Sequence, residues 1–329
     1  MNVKTRLLNI LDNSRGAYVS GAALAVELSV SRNAVWKAAQ SLREDGYIIS
    51  AAMNKGYSLM SSSAALTVDG ISAHLKAKDI FRIDVRKSVS STNTLLRELA
   101  AGGAPEWYVV AAQEQTSGKG RMGRSFHSPA GHGAYFSLLL RPGLKSADAV
   151  LLTPAAAVAA ALAIEEATGI RAGIKWVNDL VVDGKKVCGI LTEATFDMES
   201  GYIESAVLGI GINVTRPQGG YPVEIAACAA PLLSASSDSE GVRCRLIAAT
   251  LDYLRGFYLD LSARAFLSEY RARSVLLGRK INVMTSDGAR PAKALEIDDD
   301  CRLVVRYENG ETSALNSGEV SVMANEHLS

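Results

Sequence analysis

Apolar residues recur with a helical period over the first 45 positions and with a strand period over the last fifty, so no single uniform layer accommodates both ends of the chain. At the start, Leu7, Leu8 and Leu11, with Val3 and Ile10 beside them, form a helical stripe, and Ala22–Leu28 forms a second short helix. Leu28-Ser29-Val30-Ser31 reads as a tight turn. Ser31 is placed to cap a third helix over residues 32–45, and Gly46 to stop it where a left-handed residue is easiest. Two short extended runs, Tyr47–Ser50 and Gly56–Leu59, follow around Asn54-Lys55. Helix, helix, turn, helix and hairpin is the layout of a winged helix-turn-helix. At the other end, residues 279–323 are short alternating strands with turns at Ser286-Asp287-Gly288, residues 298–300 and Asn309-Gly310, which predicts a small five-stranded barrel.

Between these ends the pattern is mixed. Phe81–Val85, Tyr108–Ala112 and Tyr135–Leu140 read as strands and Asn93–Ala101 as a helix. Thr153 is predicted to cap an alanine-rich helix that has Pro154 at its first position and runs to about Thr168. From Ile174 to Val214 the pattern is β, with a two-residue hairpin at Asp183-Gly184 and a second turn at Glu199-Ser200-Gly201. Residues 241–273 read as helical. The polar stretch Ser61–Ala65 marks a boundary, and 329 residues are too many for one core. The expected fold is α+β: a winged helix-turn-helix at 1–62, a central mixed β-sheet with helices at 66–275, and an SH3-like barrel at 276–325.

A net charge of +1 excludes a strongly basic nucleic-acid coat. Residues 1–60 nevertheless carry seven Lys/Arg against four Asp/Glu, a bias of 7 − 4 = +3 that suits phosphates. The four cysteines match no zinc or thioredoxin spacing, so a reducing cytosol is the expected setting. The longest apolar run, Ala155–Ile164, is too short to cross a bilayer and no signal peptide opens the chain, so the protein is expected to be cytoplasmic with no membrane partner.

The segment Gly118-Lys119-Gly120-Arg121-Met122-Gly123-Arg124 packs three glycines and three cations into seven positions directly after a strand. Glycines let backbone approach a ligand closely, and amides and guanidinium groups then surround an anion. It is neither a Walker A loop nor a dinucleotide fingerprint, and a basic surface loop is the alternative. Lys175-Trp176-Val177-Asn178-Asp179 leads into a hairpin that sets Lys186 just before Cys188-Gly189. Lys186 can hold a carboxylate and a phosphate as a point charge, and Asp179 can position a magnesium nucleotide. Singly, each also reads as an ordinary hairpin lysine or turn aspartate. Ser90-Ser91-Thr92-Asn93, between a strand and a helix, is an N-cap cluster whose hydroxyls could serve a polar head group.

Taken in order, Ser91-Thr92-Asn93, Glu114-Gln115-Thr116 with Gly118–Arg124, Lys175–Leu180 with Lys186–Gly189, and Gly209-Ile210-Gly211-Ile212-Asn213 resemble the motifs of the biotin–protein ligases. The N-terminal domain resembles that of the bifunctional bacterial kind, which also represses biotin-synthesis genes. The resemblance implies an ATP-dependent ligase that forms biotinoyl-5′-AMP and passes biotin to a lysine of a biotin carboxyl carrier protein or domain. It implies Ser91, Thr92, Asn93, Gln115, Lys119, Gly120, Arg121, Lys186, Gly189 and Gly209 around biotin. Gly118, Arg121, Arg124, Phe126, Asn178, Asp179 and Asn213 would lie around ATP or the adenylate, with Asp179 on the Mg²⁺ side. Arg121, Lys186 and Asp179 would be catalytic. The chain departs from the family pattern at Lys119 and Met122, where arginine is usual, at Phe126 for tryptophan, and at Val177 for proline.

In the third helix, Ser31, Arg32, Asn33 and Lys37 would face DNA, Ala34, Val35, Ala38 and Leu42 the core, and Lys55 at the hairpin tip would touch phosphate or the minor groove. Trp36 fits either face. The resemblance implies a homodimer, formed when adenylate is bound, on an inverted-repeat operator. Three other readings stay open at this point: a lipoate ligase of the same fold, a ligand-sensing repressor without catalysis, and a ligase whose winged helix does not bind DNA.

Overall fold

The computed structural model describes residues 3–323 apart from 15, 45–46, 48, 60–65, 198, 200, 235–240 and 286–287. Gly46, the Ser61–Ala65 boundary, Ser200 and Ser286-Asp287 therefore lie outside the described residues. Helices α1 (Val3–Asn13), α2 (Gly21–Leu28) and α3 (Arg32–Glu44) pack around Leu7, Leu11, Leu24, Leu28, Val35, Ala39 and Leu42. The turn between α2 and α3 forms as its residues dictate. Ser29 takes a left-handed conformation (φ 56°) that closes α2, and Ser31 Oγ accepts the Ala34 amide at 3.1 Å to start α3. An antiparallel hairpin, β1 (Ile49–Ala52) and β2 (Gly56–Leu59), forms the wing with Lys55 exposed in its turn.

After α4 (Val68–His74) come β3 (Arg82–Arg86), α5 (Thr92–Ala101), β4 (Tyr108–Ala112), β5 (Gly133–Leu140), α6 (Leu152–Thr168), β6 (Gly173–Lys175), β7 (Asp179–Val182), β8 (Lys185–Phe196) and β9 (Ile203–Asn213). Seven strands join in the order β3-β4-β5-β9-β8-β7-β6. Only β3 and β4 run parallel, because α5 carries the chain across between them; the other pairs are antiparallel. Leu96 and Ala100 of α5 cover one face of the sheet against Val110, Leu139 and Val207. The other face is buried under α6 and, after α7 (Val223–Ala226), under α8 (Val242–Tyr258).

Two expectations need correction. The alanine-rich helix begins at Leu152, preceded by a 3₁₀ turn, so Thr153 is inside it; its hydroxyl pairs with Thr192 Oγ1 at 2.7 Å and caps nothing. The helical reading of 241–273 breaks after Tyr258. There Asp260 accepts hydrogen bonds from Ser262 and Ala263, a local alternative to the helix, and α9 (Leu267–Ala272) resumes only after Arg264 (φ 51°). The helical stretch 148–168 has the length and apolar character of a membrane span, but most of it is buried inside this protein as the core helix against α8 and the sheet.

The C-terminal unit is a five-stranded antiparallel sheet of β10 (Lys280–Thr285), β11 (Gly288–Ile297), β12 (Leu303–Tyr307), β13 (Thr312–Leu315) and β14 (Val320–Val322), in the order β13-β12-β11-β10-β14. It is joined to the central unit through side chains. Trp176 Nε1 donates to Cys301 O at 3.0 Å, Arg264 pairs with Asp300 and Arg271 with Asp299.

Candidate functional site

The N-terminus of α5, the glycine-rich segment and the crossing of β8 with β9 enclose a cleft of about 40 Å³, room for a few waters only. Its lining is Ser91, Thr92, Asn93, Gln115, Lys119, Gly120, Arg121, Phe126, Asn178, Lys186, Gly189, Ile190, Leu191, Gly209, Ile210 and Gly211. Ser91 is the N-cap of α5, so Thr92 and Asn93 start the helix and turn inward. Gln115 Oε1 accepts from the Thr92 amide at 2.8 Å, and Gln115 Nε2 donates to Ser128 Oγ at 2.8 Å. Ser137 Oγ lies 2.6 Å from Asn93 Oδ1 and 2.7 Å from Thr92 Oγ1, while Asn93 Nδ2 donates to Glu193 Oε2 at 2.8 Å. Arg97 in turn holds Glu193 at 2.9 Å. A polar chain thus fixes one wall.

The floor is glycine because its neighbours leave no room for more. A Cβ on Gly209 would lie 2.1 Å from Asn93 Oδ1, and one on Gly211 would lie 2.4 Å from the Phe126 ring. Phe126 rests on this floor, with Lys186 Nζ 5.9 Å above its ring.

A second cleft of about 420 Å³ adjoins the first and shares Gly120, Arg121, Phe126, Asn178 and Lys186 with it. Its outer walls are Met122, Arg124, Lys175, Trp176, Asp179, Cys228 and, from the C-terminal unit, Gly318–Val320. The glycine-rich segment is a small hairpin: Phe126 N donates to Gly118 O and Gly120 N to Arg124 O, with Met122 left-handed (φ 54°) and exposed at the tip. Arg121 Nη1 donates to Asn178 Oδ1 at 2.9 Å. Lys186 Nζ is 2.6 Å from Asp179 Oδ1. That contact is an ion pair without an aligned hydrogen bond, and Oδ1 is otherwise unpartnered and buried. Arg124 pairs with Glu319 at 2.6 Å; this hydrogen bond, aided by the charges of Lys175 and Arg121, holds the Glu319 carboxyl below its ordinary range.

The backbone of Lys186 is held along one edge. Its amide donates to Cys228 O, and its own carbonyl accepts from Ala230 N at 3.0 Å, so the returning chain at 228–230 flanks β8 as a short strap. Cys188, beneath Lys186, is fully buried, and burial pushes its thiol pKa up, so it stays a neutral packing group.

The structure brings Ser91, Thr92, Asn93, Gln115, Lys119, Gly120, Arg121, Asn178, Lys186, Gly189, Gly209 and Phe126 to the first cleft, and Arg124 and Asp179 to the second. Gly118 and Asn213 line neither. A Cβ on Gly118 would meet Phe126 O at 2.4 Å, so this glycine serves the hairpin's base, and Asn213 is buried at the end of β9. Phe126 lies on the glycine floor and lines both clefts. Sequence reading missed Ser137, Glu193 and Glu319. Ser137 carried a signal, as the single aliphatic hydroxyl within the apolar strand Tyr135–Leu140; Glu319 carried none, being 195 residues from Arg124.

Residues 85–213 match the biotin/lipoate A/B protein ligase family, residues 4–58 an HTH domain, and residues 276–323 the biotin protein ligase C-terminal domain. The bifunctional ligase/repressor BirA of Bacillus subtilis is 34% identical over 308 residues, which is 92% of this chain and 94% of that protein. The chain belongs to the bifunctional biotin ligase/repressor family. The biotin–[acetyl-CoA-carboxylase] ligase of Mycobacterium tuberculosis is 30% identical over 255 residues, 73% of this chain and 88% of that protein. A biotin protein ligase from Aquifex aeolicus, solved in complex with biotin and ATP, superposes with a TM-score of 0.60 at 25% identity, covering 74% of this chain and 98% of that one. As a member of this family the chain is a biotin ligase that carries a repressor's DNA-binding domain.

Proposed function

We propose that the first cleft receives the ring head of biotin and the second receives ATP, so that the biotin carboxylate meets the α-phosphate at Lys186 and Arg121. The observation that carries this reading is the wall shared by the two clefts, where those cations and Phe126 stand. A carboxylate oxygen attacks the α-phosphorus and pyrophosphate leaves, giving biotinoyl-5′-AMP. Both reactants are anions, so cations fixed at their meeting point stabilise the charge that develops. Arg121, positioned by Asn178, faces the phosphate, and Lys186, positioned by the strap and Asp179, faces the carboxylate. The head sits against Ser91, Thr92 and Gln115, while Asn93 braces that wall through Ser137 and Glu193. The 40 Å³ cleft is too tight for the bicycle, so Phe126 and the hairpin shift when it enters.

Asp179 fits Mg²⁺, which is commonly held by one or two carboxylates plus substrate phosphates. Its buried Oδ1 lacks an aligned donor, and no group of three or more His, Cys, Asp or Glu able to hold a metal exists among the described residues. The ion would offset phosphate charge there.

In the second half-reaction a lysine amine of a biotin carboxyl carrier protein or domain attacks the acyl carbon; AMP leaves and the amine gives up a proton. The setting is cytoplasmic. With acceptor scarce, adenylate persists, the hairpin orders, two chains pair, and the winged helices bind an inverted-repeat operator. The chain divides at 1–62, 66–275 and 276–325 for these tasks.

The test is ATP–pyrophosphate exchange dependent on biotin. Lys186→Ala is expected to lose on the order of 10²–10³ in rate, as for removal of one charge-stabilising group. Arg121→Gly is expected to release adenylate more readily. Exchange driven by lipoate and not biotin, or exchange unaffected by Lys186→Ala, refutes the assignment.

A further inference from the structure

The outward face of α3 holds a residue that the ligase chemistry does not use. At roughly 100° per residue, Val35, Ala38, Ala39 and Leu42 share the buried face. The outward arc runs from Arg32 through Trp36, Gln40 and Asn33 to Lys37, with Trp36 on the Arg32 side of its centre. Trp36 is 50% exposed and has no place in the domain's hydrophobic cluster. A half-exposed indole among cations on the outward face of the third helix of a helix-turn-helix is placed to make an apolar contact in a groove. Among the residues of α3 whose side chains are described none is acidic, and no acid lies in its first turn, so the helix dipole adds to Arg32 and Lys37. Lys55 in the wing's turn is exposed as well.

Such a surface suits a DNA major groove: cations meet the phosphates on both rims while the centre of the helix meets base edges. We propose that Trp36 is a specificity-determining residue of the DNA-binding domain, reading a thymine by packing its ring on the C5-methyl group. The proposal rests on the repressor reading of that domain. Polar neighbours Asn33 and Gln40 can read adenine, but the indole offers apolar contact, and thymine alone among the four bases presents a methyl group there.

The experiment uses the full chain with biotin and ATP and a pool of random 40-base-pair duplexes. Wild type, Trp36→Ala, Trp36→Phe and Lys37→Ala are each put through selection, and the enriched duplex is then remade with deoxyuridine at each thymine in turn. Wild type is expected to lose about fourfold in affinity at one thymine per half-site, the worth of one buried methyl. Trp36→Ala is expected to bind the thymine and uracil duplexes alike, Trp36→Phe to keep part of the preference, and Lys37→Ala to weaken all duplexes with a shallower salt dependence. Ligase activity of Trp36→Ala stays at the wild-type level. A Trp36→Ala chain that retains the thymine preference overturns the assignment alone. One that alters dimerisation without altering base preference makes the indole a protein contact, and overturns it too. A wild type that enriches no sequence overturns the repressor reading together with it.

Discussion

Replacing Gly209 by alanine tests whether the floor of the first cleft is set by packing or by sequence accident. The new methyl would lie 2.1 Å from Asn93 Oδ1 and 2.8 Å from its Cγ. Asn93 cannot yield without cost. It is buried and holds Glu193, the Leu191 carbonyl and Ser137. Forcing an extra methyl into such a site costs about 1–3 kcal/mol, and losing the Ser137 bond adds about 1 kcal/mol. The expected total is about 2–4 kcal/mol, which lowers the melting midpoint of a domain this size by on the order of 10 °C. Gly256→Ala is the matched control: it lies in α8 with open space at its Cβ position, so alanine should raise stability by about 1 kcal/mol. Calorimetry of both variants, with and without biotin, reads the difference. Gly209→Ala should also raise the biotin KM in pyrophosphate exchange, because Thr92 shares the displaced network. A midpoint within a degree of wild type and an unchanged KM would refute the reasoning.

Three further outcomes follow from the same geometry. Gly118→Ala sets a methyl 2.4 Å from the Phe126 carbonyl, so it should open the base of the hairpin and raise KM for ATP and biotin while the melting midpoint moves less than for Gly209→Ala. Glu319→Gln frees Arg124 from an ion pair that is largely exposed, so stability should fall by less than about 1 kcal/mol, read by urea unfolding, while the KM for ATP changes. Because the Glu319 pKa is lowered in the fold, the stability this pair gives is present above the ordinary glutamate range and lost as pH falls through the lower folded value; the Glu319→Gln difference at pH 7 should vanish at low pH. Trp176→Phe removes the bond to Cys301 O from a buried ring and should cost about 1 kcal/mol, with protease cutting sooner between the central and C-terminal units.

The parts of the fold legible in the sequence were those fixed by local chemistry. Ser31 caps α3, Asp183-Gly184 turns the hairpin with both residues at positive φ, and Tyr108–Ala112 is a strand as read. Thr153 misled because a threonine ahead of proline carries the cap signal, while the actual helix start is set by a 3₁₀ turn that packs Leu151 and Leu152 inward. In the site, the motif residues were visible because each lies in a short run. Their braces were not. Glu193 reaches Asn93 across 100 residues and Glu319 reaches Arg124 across 195, pairings that only strand order and domain docking create. Trp36 stood undecided in sequence because its neighbours on either side in the chain, Val35 and Lys37, face opposite ways.

The strap at 228–230 changes how the surface between β9 and α8 should be viewed by anyone who engineers this protein. A stretch of that length on the outside of a domain would ordinarily be chosen for tags, insertions or library diversification. Here residues 228–230 splint the backbone of Lys186 along one edge, the Cys228 carbonyl accepting its amide and the Ala230 amide donating to its carbonyl. Exposed Val223 marks a part of the excursion that can absorb change, whereas Gly219 and Gly220, both at positive φ, must stay glycine. A few positions later the same loop becomes scaffolding for chemistry, and variants there would be lost from an activity screen while folding normally.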